Sequence, residues 1–154
     1  MKKDNISLVS ADKNLNLQKM KYFVGSVVLH DISRIIKSSE QKIYLVTFKN
    51  GAKTKLHYHE AGQTLIVNKG SGILVTYKKI GTTKSGLKIR QVSKISLKKD
   101  DIAYIPKHTL HMHGSTNQKQ KFSHIAINSH TSKGMEAKTI WFDSDLKTFA
   151  KYLD

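Results

Sequence analysis

Apolar positions along this chain come in short runs, many alternating with polar ones, separated by glycines, asparagines and charged pairs. Side chains two apart on a strand share a face. Lys42 to Phe48 therefore reads as a strand with Tyr44, Val46 and Phe48 on one side and Ile43, Leu45 and Thr47 on the other. Which side faces the interior stays open. Residues 22–32 read as a β-rich run in which Gly25 marks a bulge, followed by a polar connection from Ser33 to Gln41. Asn50-Gly51 is strong turn chemistry, and Thr64 to Val67 is β-branched and apolar, closed at Gly70. Further strands are expected at Ile73–Tyr77, through Ile89, Val92, Ile95 and Leu97, at Ile102–Pro106 and at Lys121–Asn128. A hairpin tip is expected around Gly81 and Gly86, and a charged turn at Lys98–Asp101. Ser144 to Leu153 carries apolar residues at helical spacing behind Asp143 or Ser144 as N-cap, and predicts a helix. Many short strands, turns between them and a single proline imply an all-β sandwich or barrel.

The 154 residues suffice for one domain with a sizeable core. The organisation expected is an N-terminal arm over residues 1–20, a barrel over 21–142 and a C-terminal helix over 143–154. With no cysteine, neither a disulfide framework nor a thiolate metal site is open to the chain. No segment has the length and apolarity of a membrane span, and the N-terminus lacks the apolar core of a leader, so a cytoplasmic protein with no membrane partner is expected. The net charge of +16 raises the question of nucleic acid. The basic residues are nearly all lysine, Arg34 and Arg90 excepted, and no nucleic-acid motif is present. Arginine is the usual bidentate reader of bases and phosphates, so no specific nucleic-acid partner is expected.

His57 and His59 are two apart on a predicted strand, so both imidazoles aim at one point. Gln63 follows across a short bend, and His108, His111 and His113 follow a second strand ending Ile105-Pro106. Imidazole nitrogens with an amide oxygen suit a borderline or hard divalent cation, and His111 is the expected fourth ligand.

These residues carry a resemblance. Gly51-x5-His57-x-His59-x3-Gln63-x6-Gly70 fits the first cupin motif at every spacing, with Gln63 where most cupins have Glu. Asp100-x5-Pro106-x-His108-x2-His111 fits the second, with Asp100 and His108 in place of its two glycines. The strings H-Y-H-E-A-G-Q-T-L-I-V, I-P-K-H-T-L-H-M-H-G and S-H-I-A-I resemble small single-domain cupins related to bacterial manganese hydroxynitrile lyases and carboxymuconolactone-decarboxylase-associated cupins.

The resemblance implies a double-stranded β-helix (jelly-roll) barrel and one divalent ion on His57, His59, Gln63 and His111. Manganese is expected first, with nickel, zinc or iron as alternatives. It implies a homodimer, and a histidine at the position of His124 standing beside the metal without ligating it. His124 is accordingly expected to transfer protons, with His113 either supporting the ligands from behind or contacting substrate. His108 is expected at the cavity rim, His30 and His130 at the surface, and Trp141 and Phe142 in core or dimer packing. The activity expected is lyase-type chemistry on a small oxygenated molecule, hydroxynitrile lyase-like or decarboxylase-like. A metal-dependent oxygenase, a non-catalytic small-ligand-binding cupin and an electrostatic binder of nucleic acid or anionic surfaces stay open beside it.

Overall fold

The computed structural model describes residues 2–6 and 21–153 of the chain. The arm expected over residues 1–20 lies mostly outside the described residues. In chain order the elements are β1 (Phe23–Val24), β2 (Val27–Asp31), α1 (Ile32–Ile36), β3 (Gln41–Phe48), β4 (Lys53–Thr54), β5 (Leu56–His59) and β6 (Gln63–Lys69). Then come β7 (Ser71–Thr83), β8 (Gly86–Lys98), β9 (Ile102–Ile105), β10 (Leu110–Ser115), β11 (Phe122–Ser129), β12 (Thr139–Ser144) and β13 (Phe149–Tyr152).

All described pairings are antiparallel, in two sheets. One runs β2-β3-β11-β6-β9. The other runs β1-β4-β10-β5-β12-β13-β8-β7, and β7 pairs back onto β10, so six of its strands close into a barrel. Closure removes the exposed edges that an open sheet leaves. Two apolar clusters follow. Phe48, Leu65, Val67, Leu97 and Phe122 fill the space between the sheets. Leu56, Tyr77, Ile89, Met112 and Phe142 fill the interior of the closed barrel.

Strand alternation divides the chemistry between these two spaces. On β5, Leu56 belongs to the barrel cluster while His57 and His59 point the other way; on β10, Leu110 and Met112 do the same against His111 and His113. On β3 the face left open by the sequence is settled: Tyr44, Val46 and Phe48 turn inward.

Local chemistry accounts for the turns. Asn50 and Gly51 both take positive φ, 50° and 76°, with Ala52 N–H donating to Lys49 C=O, a tight Asn-Gly turn that carries the chain from one sheet to the other. Gly70 has φ 73°, and a Cβ there would stand 2.2 Å from the Lys121 carbonyl oxygen, so only glycine fits. Asp100 and His108, the two residues standing in for motif glycines, nevertheless adopt φ 74° and 60°.

Three expectations need correction. The polar connection after Asp31 contains α1, N-capped by the Asp31 carboxylate, which accepts from Arg34 N–H. The tip expected around Gly81 and Gly86 narrows to a tight turn at Lys84-Ser85 between them, with β7 and β8 running through both glycines. The C-terminal helix is absent. Asp145 accepts from the N–H groups of Lys147, Thr148 and Phe149, and Leu146 takes a left-handed φ of 58° that a helix cannot contain. Phe149 to Lys151 then pair with β8 and β12, burying Ala150 completely. Tertiary pairing has overridden helical spacing.

Candidate metal centre

Register assembles the site. His57 lies directly opposite His111 on β10 on one side and Trp141 on β12 on the other. Thr139 lies opposite His59. Across the gap Gln63 on β6 faces Asn128 on β11. His57, His59, Gln63, His111, His113 and His124 are all buried.

Each proposed ligand is held from behind. His57 Nδ1–H donates to the Lys55 carbonyl at 2.9 Å, and His111 Nδ1–H donates to the Thr109 carbonyl at 2.8 Å. A carbonyl only accepts, so the proton must sit on Nδ1 and the lone pair on Nε2. His59 Nδ1 shares a 2.8 Å hydrogen bond with Thr139 Oγ1. The Gln63 amide nitrogen donates to Asn128 Oδ1 at 2.8 Å, which leaves its carbonyl oxygen as the free end. His59 Nε2, Gln63 Oε1 and His111 Nε2 are buried with no hydrogen-bond partner. Unsatisfied buried polar atoms are costly, and three of them held from behind in this way fit a cation.

His113 completes a second, overlapping set. One nitrogen each from His57, His111 and His113 lie within 4.8 Å of one another, close enough for the three to hold a divalent ion. The other side of His113 meets His124: His113 Nδ1 and His124 Nε2 are 3.1 Å apart and share a proton. Phe48 packs on both rings and Phe122 on His124. Burial pushes all of these imidazoles down: His59 and His124 to about 4, His111 to about 3, and His57 and His113 well below the ordinary value, with neighbouring histidines also lowering His57, His111 and His113. All are neutral at pH 7, the form that ligates metal.

Of the expected ligands, His57, His59 and Gln63 open into a cavity of about 540 Å³. His57, His59, Gln63 and His113 form its polar end; Phe23, Leu29, Val46, Ala126, Ile140 and Trp141 contribute apolar wall. His111 and His124 do not reach the wall, so His124 meets the cavity only through His113. Trp141 stacks on His57 at 4.2 Å and on Tyr22 at 4.7 Å, which makes it part of the site, while Phe142 is wholly buried in the barrel cluster. His130 lines the cavity, His30 is buried, and His108 is exposed against Tyr58 away from the cavity, in each case contrary to expectation. Thr139 and Asn128 were missed as supports. Asn128 shares the strand phase of His124, but nothing in a single sequence marks Thr139 as lying opposite His59.

A family model described as Cupin matches residues 14–148. The chain belongs to the cupin family. No curated protein matches this sequence. Among solved structures the cupin is similar to a cupin-like protein from Thermotoga maritima, 28% identical over 81% of this chain and 82% of that one, with TM-score 0.58. It shares its fold with a cupin-superfamily sugar phosphate isomerase from Silicibacter pomeroyi, 17% identical over 77% of this chain and 67% of that one, TM-score 0.57. It also shares the fold of Bacillus subtilis oxalate decarboxylase, described with Mn(II) centres, 20% identical over 68% of this chain, TM-score 0.51. This cupin spans 26% of that enzyme's chain.

Proposed function

We propose that this cupin is a metal-dependent lyase acting on a small α-hydroxy compound, of the hydroxynitrile lyase or decarboxylase type. The carrying observation is the set of oriented, partnerless buried donors: His59 Nε2 and Gln63 Oε1 on residues that line one end of the cavity, and His111 Nε2 beside them, with His57 alongside. These four would hold a divalent ion, manganese first. The ion's chemistry, when bound, is to polarise a substrate hydroxyl or carbonyl oxygen, undiminished by any ligand carboxylate.

The chain's own contribution is the proton. His113 faces the cavity and takes the hydroxyl proton of the substrate; His124, hydrogen-bonded behind it, fixes its tautomer and spreads the charge that develops. In the hydroxynitrile lyase case the carbon–carbon bond breaks to leave a carbonyl and the departing cyanide recovers that proton. In the decarboxylase case the bond breaks to release carbon dioxide, and the carbanion left on the substrate takes the proton from His113. The acid/base role expected of His124 is thus exercised through its neighbour. The apolar wall at Phe23, Leu29 and Trp141 holds the remainder of the substrate and limits water.

The test is elemental analysis of untagged protein, wild type beside His111→Ala and His124→Ala, with a titration followed by fluorescence. Trp141 is the sole tryptophan and lies against His57, so a paramagnetic ion quenches it directly. About one equivalent of metal in wild type and in His124→Ala, and none in His111→Ala, supports the ligand set. Loss of lyase turnover in His124→Ala with metal retained supports the proton role. Equal metal loss in both variants overturns the division of labour, and bound metal without turnover of any α-hydroxy substrate leaves a ligand-binding cupin.

A further inference from the structure

The segment from Ser71 to Lys99 holds eight of the 27 basic residues and none of the 11 acidic ones, half of the chain's net charge. It is the β7–β8 hairpin and the start of the turn after it. Lys78, Lys79, Lys84, Lys88, Arg90, Lys94, Lys98 and Lys99 are all exposed. Among the described residues the ion pairs are Lys42–Glu136 and Lys55–Asp143, neither of which involves the hairpin.

Two register shifts interrupt the pairing. Thr76 lies opposite Ser93 and Tyr77 opposite Gln91, which leaves Val92 as an extra residue; Lys79 lies opposite Ile89 and Gly81 opposite Lys88, which leaves Ile80. Bulges re-aim side chains and bend a strand away from its partner. Here both extruded residues are β-branched and apolar, 63% and 57% exposed, and Ile95 nearby is 45% exposed. β10 covers β7 from Gly72 to Tyr77, and among the described residues no strand pairs with that edge from Lys78 to Thr83. Lysines alone would guard such an edge against strand addition. Extruded aliphatics work against that purpose.

We propose that the β7–β8 hairpin docks this protein onto an anionic phospholipid surface, its lysines and Arg90 on the headgroups and Ile80 and Val92 inserted between them. Aliphatic tips within a field of cations are the composition of an interfacial membrane contact. A single-stranded nucleic acid would instead want exposed aromatic faces on which to stack bases, and the one aromatic residue of the hairpin, Tyr77, is buried. The contact is peripheral: no helix among the described residues is long and apolar enough to cross a membrane. It is also independent of the metal centre, since no hairpin residue lines the cavity.

Co-sedimentation with vesicles tests it, comparing pure phosphatidylcholine with phosphatidylcholine containing about one third phosphatidylserine. The full chain should bind the anionic vesicles and not the neutral ones, and raising salt from about 50 to about 300 mM should weaken binding at least tenfold. Lys78→Glu with Arg90→Glu should weaken it by about tenfold or more. Ile80→Ser with Val92→Ser should weaken it several-fold while leaving the salt dependence in place. Both variants should keep the Trp141 fluorescence of wild type, which reports an intact barrel. Equal binding to both vesicles, or none to either, overturns the proposal. So does binding to a single-stranded oligonucleotide at the same salt, unaffected by the serine substitutions, when the vesicles are not bound.

Discussion

Asp100 and His108 occupy the left-handed conformation of the motif glycines without being glycine. Such backbone costs an L-residue roughly 1–2 kcal/mol, least for Asp, Asn and His. His108 carries the strain outside the cavity, donating its N–H to the His59 carbonyl at 2.8 Å, so the conformation is held by the chain next to a proposed ligand. His108→Gly should therefore raise stability by about 0.5 kcal/mol, relief of strain partly offset by added freedom of the unfolded chain. His108→Val, β-branched at positive φ, should lower it by roughly 1–2 kcal/mol. Urea denaturation of the two variants checks both signs. Thr139 is the other residue whose effect is readable in isolation. Thr139→Val removes the partner of His59 Nδ1 at nearly constant volume and should weaken metal affinity about 10–100-fold, as lost support behind a ligand does. Thr139→Ser should restore it, and the Trp141 titration distinguishes the two.

At the level of elements, what the sequence made legible is what depends on neighbours in the chain. The pairing of His57 with His59, the Asn50-Gly51 turn and the inward phase shared by His111 and His113 are all local alternation or turn chemistry. The C-terminal segment failed for the same reason. Its apolar spacing satisfies a helix, and only the distant strand β8 decides otherwise, through Phe149 opposite Lys88 and Ala150 opposite Leu87. Likewise a bulge is a relation between two strands, so Ile80 and Val92 carry no sign in the sequence that they are extruded. The chain does mark the start of β13, in Asp145: hydrogen bonds from the turn hold its carboxyl well below the usual carboxylate range. Asp145→Ala should release that turn. The expected result is a lower Tm and faster amide exchange at Ile89 and Leu153, which donate to Thr148 and Trp141 across the hairpin, with exchange in β11 unchanged. Uniform acceleration throughout the barrel would mean that the turn is not a separable unit.

For the whole molecule, burying five neutral imidazoles in one space makes stability depend on pH with a definite sign. Their unfolded-state value is 6.5, and burial holds His59 and His124 near 4 and His111 near 3 in the folded protein. Above pH 6.5 the imidazoles are neutral in both states and cost nothing. Below it the unfolded chain takes up protons that the fold refuses, so stability falls steadily until the folded values are reached. For one histidine moved from 6.5 to about 4 the full loss is about 3 kcal/mol, and several titrate together, which is a large share of the stability of a domain this size. Metal-free protein should therefore lose urea stability steeply between pH 6.5 and 4. Bound metal should delay the loss, because protons must displace it from the same nitrogens. Self-repulsion of a +16 chain pulls in the same direction but is screened by salt, whereas desolvation inside the fold is not. An acid limb that persists in about 0.5 M salt belongs to the buried histidines. One that disappears in salt belongs to the lysine-rich surface, and would mean that water reaches the imidazoles.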